Sequence, residues 1–125
     1  MSPLQELAAS RYVLLTTFRR DGTPVATPVW AAPLDGGLGV WTGPEAGKVK
    51  RIRRNPAVLV ATCDVRGGNP GVAHPGRAEL LDPAGVGQLL RQLRDKYGLL
   101  GRLTLLGSRL RGRLSRAAGI RIVIG

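Results

Sequence analysis

A chain of 125 residues has the size of one ordinary domain, so residues 1–125 are predicted to fold as a single unit. Lys and Arg number 19 against 8 Asp and Glu, and the charge of +11 predicts an anionic partner: a nucleic acid, a membrane surface or a phosphate- or carboxylate-bearing small molecule. One cysteine excludes an internal disulfide, and neither a signal-like N-terminus nor an apolar run of roughly 20 residues is present. These features predict a soluble, cytoplasmic protein.

The first third of the chain has the pattern of a short helix followed by three antiparallel strands. Ser2 is a suitable N-cap, Pro3 suits the first helical position and Gln5 completes a capping box, which predicts a helix ending near Ser10. Runs rich in β-branched and aromatic residues then predict strands over 12–18, 25–32 and 38–42.

Turns and prolines indicate how these strands are arranged. The Asp21-Gly22 pair and the LDGG segment at 34–37 favour hairpin turns, because glycine adopts positive φ at low cost. Three prolines in or beside the middle strand each remove a backbone donor, which favours an edge, a bulge or a bent stave. They are Pro24, Pro28 and Pro33. A small barrel is therefore favoured over a flat sheet.

The rest of the chain alternates helical and strand patterns. Strands are predicted over 57–63, 72–81 and 120–124, and helices over 45–54, 83–97 and 99–116. Asn55-Pro56 ends the first of these helices, because proline disfavours the α conformation of the preceding residue. The segment 99–116 carries leucines along one side and arginines along the other, and its glycines are compatible with two short helices. It is interpreted as closing one end of the barrel.

Side chains suited to acid–base, nucleophilic or metal chemistry are few. His74 is the single histidine and Cys63 the single cysteine, so no metal site is predicted and a structural role is favoured for both. The eight acids show no paired spacing of the kind that carboxylate catalysis uses. No catalytic side chain is assigned, and an enzyme of this sequence would need a cofactor to carry the reaction.

An anion site is predicted where a strand ends at Thr42 and a basic helix follows. The segment GKVKRIRR, residues 47–54, carries five cations, and free N–H groups at a helix start attract negative charge. Lys48 and Arg51 share one face of that helix. Charge alone is explained equally well by a solvated basic helix, whereas the arrangement of Thr, loop, Gly and Lys favours the anion site. Neither a dinucleotide-binding glycine motif nor a P-loop is present.

The order of elements, with TPVW at 27–30 and WTG…GKVKRIRRNP at 41–56, resembles the pyridoxamine-phosphate-oxidase-like superfamily. More narrowly it is similar to the small actinobacterial PPOX-class oxidoreductases that use the deazaflavin coenzyme F420. The resemblance covers nearly the whole chain and implies a mainly β, α+β fold, an antiparallel six-stranded split β-barrel with peripheral helices, as in FMN-binding proteins. It also implies a homodimer that holds the cofactor in the groove between its subunits.

The resemblance implies cofactor contacts for nine residues. Thr42 and Lys48 would contact the cofactor phosphate, and Arg51, beside Gly47, would add a phosphate or tail contact. The ring-facing segment would be formed by Thr27, Pro28, Val29 and Trp30. Trp30 and Trp41 would border the pocket, although a place in the barrel core suits each of them equally. The remaining cations of the helix, Lys50, Arg53 and Arg54, would be solvated or would steer the tail.

The implied activity is hydride transfer between reduced F420 and a small electron-poor organic substrate. FMN-binding oxidases of the superfamily usually have Ser and Arg before the lysine and another Arg at the start of the ring-facing segment, whereas this chain has Ala46, Gly47 and Thr27. F420 is therefore favoured, with FMN as the alternative. A non-catalytic F420 carrier is a second alternative. Nucleic-acid binding is disfavoured, since the chain has only five aromatic residues and no RNP-like run.

Overall fold

The structure is a computed structural model that describes residues 2–42, 47–110 and 118–124. Its helices are α1 (Pro3–Ala9), α2 (Gly47–Arg54) and α3 (Pro83–Leu110). Its strands are β1 (Tyr12–Phe18), β2 (Pro24–Val29), β3 (Ala31–Leu34), β4 (Gly37–Thr42), β5 (Ala57–Cys63), β6 (His74–Leu80) and β7 (Ala118–Ile124). The predicted helices at 45–54 and 99–116 are confirmed where they are described, and residues 45–46 and 111–116 lie outside that part.

The described strands form one antiparallel sheet in the order β2-β1-β5-β6-β7-β4-β3. The two outermost strands, β2 and β3, are separated in sequence by Trp30 alone. Because one residue spans less than about 4 Å, the two ends of the sheet must come together, and the sheet therefore curls into a half-barrel. The predicted α+β split barrel with peripheral helices is confirmed.

The strand predicted over 25–32 is divided at Trp30, so the sheet has seven described strands and not the predicted six. Before the division the chain pairs with β1, with Val29 opposite Val13, and after it the chain pairs with β4, with Ala31 opposite Val40. The three prolines of this segment are all exposed at the outermost strands, where a missing N–H costs no ladder hydrogen bond. Of the predicted alternatives, an edge, a bulge or a bent stave, the edge position is the one observed.

Caps and turns follow the local sequence. Ser2 and Gln5 form the predicted capping box at the start of α1. The turn between β3 and β4 has positive φ at both Asp35 (47°) and Gly36 (75°), as a primed hairpin turn requires. At the start of α3, Asp82 accepts a hydrogen bond from the backbone N–H of Gly85 at 2.7 Å. Each of these capping and turn motifs lies at the helix or strand end that the sequence predicts.

Two apolar clusters lie on opposite faces of the sheet. The inner core lies within the half-barrel and is formed by Leu7, Val13, Leu15, Val29, Ala31, Leu38, Val40, Ile52, Val58, Val60, Ala78, Ile120 and Ile122. The second cluster, here called the α3-side cluster, consists of Ala32, Leu34, Leu89 and Leu93 with the partly buried Trp30, Trp41, Leu81 and Tyr97. Helix α3 lies close to the sheet: a Cβ on Gly39 would come within 2.6 Å of Leu89.

Helix α3 is broken at Gly98, whose φ of 60° and ψ of −134° are not helical. The predicted end of a helix at residue 97 is therefore confirmed, and residues 99–110 continue as a second helical segment. Glycine tolerates this conformation because it has no Cβ. Among the described residues, no helix is both long and apolar enough to cross a membrane.

Candidate functional site

Helix α2 places a row of cations at the edge of the inner core. Val49 and Ile52 are 1% and 3% exposed and pack inward against β1 and β6. Their burial brings Lys48 and Arg51 to the boundary of the core, where both are half-buried. The other three cations of the helix, Lys50, Arg53 and Arg54, are exposed. The helix therefore separates its charges into two groups, as its amphipathic sequence predicts.

Arg51 is held against the C-terminal end of strand β1. Its Nε donates to the hydroxyl oxygen of Thr17 at 2.6 Å, and Thr17 is only 1% exposed. Its guanidinium lies over Gly47 at the start of the helix. Nearby, an Nη of Arg54 donates to the carbonyl oxygen of Phe18 at 3.3 Å. The end of β1 and the first turns of α2 thus form one basic surface.

Four side chains of this surface form what we call the α2 cation cluster. They are Arg19, Lys48, Arg51 and Arg54. Burial, and then the charge of Arg51, lowers the pKa of Lys48. Burial, and then the charges of Arg19 and Arg54, lowers the pKa of Arg51. Within the part of the chain that the structure describes, no carboxylate forms an ion pair with any of the four, and the ion pair present is Arg121–Glu79 at 3.1 Å. A bound anion would offset this repulsion and desolvation.

Thr42 and Trp41 point to opposite faces of the sheet, because successive residues of a strand alternate. Thr42 is 8% exposed and lies on the face of Leu38 and Val40, which belong to the inner core. Trp41 lies on the other face, in the α3-side cluster. The chain from Thr42 to Gly47 has five peptide units and can span at most about 18 Å. Thr42 therefore lies within about 18 Å of the start of α2. Trp41 lies on the opposite face of the sheet from Thr42.

The segment predicted to face a cofactor ring lies beside the anchor of Arg51. Thr27 is opposite Leu15 in the β1–β2 register, and Thr17 is opposite Val25. Thr27 and Thr17 therefore share the inner face as diagonal neighbours, at a separation of about 7–8 Å. Pro28 is exposed on the outer face, and Val29 is buried at the end of the strand.

Trp30 lies at the division between β2 and β3 and stacks on Tyr97 of α3. The ring centroids are 4.3 Å apart and the planes differ by 10°. The structure therefore brings together Gly47, Lys48 and Arg51 and sets Thr27 near them, whereas it groups Trp30 and Trp41 with α3. Neither tryptophan lies in the inner core of the barrel, the place that the sequence offered as the alternative for each; both are partly buried in the α3-side cluster.

Thr17 belongs to this surface but was not predicted from the sequence. A signal was available: in YVLLTTF, alternation puts Thr17 on the same face as Val13 and Leu15, so that a hydroxyl falls on the buried face of a strand. A buried hydroxyl needs a hydrogen-bond partner, and here Arg51 provides it. The partner comes from an element 34 residues away, which the sequence pattern does not reveal.

Metal-binding and nucleophilic groups do not assemble at this surface. In residues 2–42, 47–110 and 118–124, no three His, Cys, Asp or Glu side chains come together as metal ligands would. Cys63 is half-buried at the end of β5, and burial raises the pKa of its thiol. His74 is half-buried at the start of β6. Of the described residues, the strongest chemical signal is therefore the α2 cation cluster.

Solved structures with the same fold differ in what they bind. The conserved hypothetical protein Rv2991 from Mycobacterium tuberculosis has a TM-score of 0.75 and 25% identity, over 99% of this chain and 81% of that one. An F420 reductase has a TM-score of 0.63 and 23% identity, over 100% and 95%. The heme storage protein HutZ from Vibrio cholerae has a TM-score of 0.69 and 14% identity, over 97% and 87%. At such identities the latter two establish the fold alone.

No curated protein matches the chain. The family model described as pyridoxamine 5'-phosphate oxidase matches residues 4–116. This span includes strands β1 to β6, helices α2 and α3, and the whole α2 cation cluster. The antiparallel half-barrel and the extent of the match lead to one conclusion: the chain belongs to the pyridoxamine 5'-phosphate oxidase family.

Proposed function

We propose that this chain is an F420-dependent oxidoreductase that transfers hydride between the reduced deazaflavin and a small electron-poor organic substrate. The observation that carries the proposal is the α2 cation cluster, in which Lys48 and Arg51 are half-buried and unpaired with any carboxylate of the described residues. Because proteins of this fold include a heme storage protein as well as an F420 reductase, the cofactor has to be argued from the residues themselves.

The α2 cation cluster fits a ligand with several negative charges. Burial and like charge lower the pKa values of Lys48 and Arg51, so an anion placed between them would stabilise the charged form of both side chains. The phosphate of F420 supplies that anion, and the carboxylates of its oligoglutamate tail would extend toward Arg19 and Arg54. FMN also carries a phosphate but has no such tail. The excess of positive charge on this chain therefore favours F420 over FMN.

In this proposal the side chains bind and orient the cofactor, which supplies the hydride chemistry when it is bound. Lys48 and Arg51 hold the phosphate, with Thr42 at the end of β4 and Gly47 at the start of α2 beside it. Thr27, Pro28 and Val29 of β2 would lie along the cofactor ring. Since β2 is an outermost strand of the described sheet, its backbone groups that point away from β1 can hydrogen-bond to the ring. Trp30 and Trp41 support this edge from the α3-side cluster.

We further propose that two subunits form a homodimer with a cofactor in each groove. The outer face of the β1–β5 pair supports this, because it carries apolar side chains that are only half-buried in one chain: Leu14, Phe18 and Leu59. A second copy would cover them. Sedimentation equilibrium should give twice the mass of the 13.3 kDa chain. A monomer at micromolar concentration would contradict the dimer without bearing on cofactor binding.

Titration with oxidised F420, followed by fluorescence, tests cofactor binding. Lys48→Ala should weaken binding about 30- to 100-fold, because it removes a charged hydrogen bond to the phosphate. Lys50→Ala is the matched control: it removes the same charge from the exposed side of the same helix and should change the affinity by less than about threefold. Equal losses in the two variants, or no binding by the wild type, would contradict the proposed site. Tighter binding of FMN or heme than of F420 would reassign the cofactor.

Turnover separates an enzyme from an F420 carrier that uses the same site. The reduced cofactor should be oxidised by quinones, enones or nitroaromatic compounds faster in the presence of the protein than in its absence. The rate should fall in Lys48→Ala at subsaturating cofactor and recover as the cofactor concentration rises. Tight binding with no acceleration for any acceptor class would favour the carrier.

A further inference from the structure

Two contacts determine where the guanidinium of Arg51 lies. Its Nε donates to Thr17, which is buried in β1 and cannot move without disturbing the strand. On the other side, the group passes over Gly47, so closely that a Cβ there would be 2.7 Å from Nη1 and 3.5 Å from Cζ. The hydroxyl of Thr17 in β1 and the absence of a Cβ at Gly47 in α2 therefore together determine the position of this guanidinium.

As far as the described residues go, this arrangement leaves the remaining donors of Arg51 available for a ligand. Helical side chains lean toward the N-terminus of their helix, so Arg51 reaches back one turn and brings its two Nη groups over the first turn of α2. The backbone N–H groups of that first turn have no acceptor within the helix. Among the described residues, neither Nη of Arg51 has a hydrogen-bond partner, and Lys48 is adjacent to Gly47.

We propose that Thr17 and Gly47 are positioning residues that fix Arg51 as a preset fork for the phosphate of the ligand. This inference rests on the proposed function. It gives two uncharged residues a role in selecting phosphorylated ligands. A guanidinium fixed in advance loses little conformational freedom on binding and can offer two parallel N–H donors to two phosphate oxygens. Thr17 acts through its hydroxyl, and Gly47 acts through the space that it leaves open.

The first test removes the hydroxyl anchor. Thr17→Val keeps the β-branched shape and should weaken the binding of F420 about tenfold, because Arg51 is no longer held in place. Thr17→Ser keeps the hydroxyl and should restore most of the affinity. Thr16→Val lies on the opposite face of the same strand, which the proposed dimer would cover, and is the matched control: with the dimer mass unchanged, it should bind as the wild type does. The deazaflavin chromophore that lacks phosphate and tail should bind Thr17→Val and wild type equally.

The second test fills the space over Gly47. Gly47→Ala should displace the flexible end of Arg51 and weaken the binding of F420 about five- to tenfold. The same change should leave the melting temperature unchanged or raise it, because alanine has a higher helix propensity than glycine. Weaker binding in a chain that is no less stable is a combination that a merely structural role for Gly47 does not produce.

A double-mutant cycle with Arg51→Ala decides whether both residues act through Arg51. In the Arg51→Ala background, Thr17→Val and Gly47→Ala should have no further effect on F420 affinity. Full additivity would overturn the inference, as would wild-type affinity in Thr17→Val. The outcomes for the proposed function are separate: it stands if Lys48→Ala loses binding while Thr17→Val does not, and it falls if the wild type binds no F420.

Discussion

Lys48 in α2 and Lys96 in α3 are a natural pair for comparison. Both are half-buried, burial is the main cause of a lowered pKa for each, and neither forms an ion pair with a carboxylate of the described residues. The ammonium group of Lys96 nevertheless donates to the carbonyl oxygens of Ser10, at 2.6 Å, and Ala31. It also lies 5.0 Å from the ring centroid of Tyr97. Lys48 makes no hydrogen bond to any described residue.

This difference is the reason for proposing Lys48, and not Lys96, as a ligand-binding lysine. Lys96 satisfies backbone carbonyls at the α1–β1 junction and at the start of β3, and so it joins both to α3. Tyr97 reinforces the same junction through its hydroxyl, which donates to the carbonyl oxygen of Arg11 at 2.8 Å. A pKa lowered by burial is common to both lysines. Among the described residues, what separates them is that hydrogen bonds within the chain use the donors of Lys96 and not those of Lys48.

Substitution by methionine is expected to affect the stability of the two sites in opposite ways. Lys96→Met should lower the free energy of unfolding by about 2 kcal/mol, because it removes donors from two partly buried carbonyl groups while keeping most of the side-chain volume. Lys48→Met should leave the free energy of unfolding unchanged or raise it, because the variant no longer buries a cation that forms no ion pair with the described residues. Urea denaturation followed by tryptophan fluorescence measures both. A greater loss of stability in Lys48→Met would contradict the comparison.

The stability contributed by Lys96 should rise with pH. Its pKa is about 8 in the folded chain, against 10.5 for an unperturbed lysine. Between these values the unfolded chain binds more protons than the folded chain, so the free energy of unfolding increases as the pH rises from about 8 to 10.5. The stability difference between wild type and Lys96→Met should therefore be larger at pH 10 than at pH 7. Urea denaturation of both proteins at the two pH values, with a reductant to protect Cys63, measures this change. A constant or shrinking difference in stability would contradict the lowered pKa of Lys96 in the folded chain.

The smallest expected effect concerns the pH dependence of ligand affinity. Because burial and Arg51 lower the pKa of Lys48 below 10.5, the affinity for F420 should begin to fall at a lower pH than an exposed lysine would cause. The bound anion should raise that pKa again, so that binding at alkaline pH takes up protons. Calorimetric titrations in two buffers of different ionisation enthalpy measure the uptake. Lys48→Ala should abolish it, and an unchanged uptake in that variant would assign it to another group.

Most of the fold could be predicted from the sequence because its signals are local. The capping box at Ser2, the two turns with positive φ, and the change from period two to period 3.6 each depend on a few neighbouring residues. The break at Trp30 could not be predicted, since it depends on the curl of the whole sheet and on the stacking of Trp30 with Tyr97, 67 positions along the chain.

The candidate site was predictable in part. The amphipathic pattern of α2 predicted that Lys48 and Arg51 lie on a different side from Lys50 and Arg53, and the structure agrees. Thr17 was missed, because its importance comes from a contact between β1 and α2 that no local pattern encodes. The strand alternation that separates Thr42 from Trp41 was available in the sequence. The packing of Trp41 in the α3-side cluster could not be predicted from the sequence.

A crystal structure of the chain with oxidised F420 bound most directly tests the proposal that Lys48 and Arg51 of α2 hold the cofactor phosphate. The phosphate is expected within hydrogen-bond distance of Lys48 Nζ and the Nη groups of Arg51, with the ring along residues 27–29. Arg51 Nε should still donate to Thr17. A phosphate bound instead beside Lys96, or anywhere else with Lys48 and Arg51 left unliganded, would contradict the proposed site.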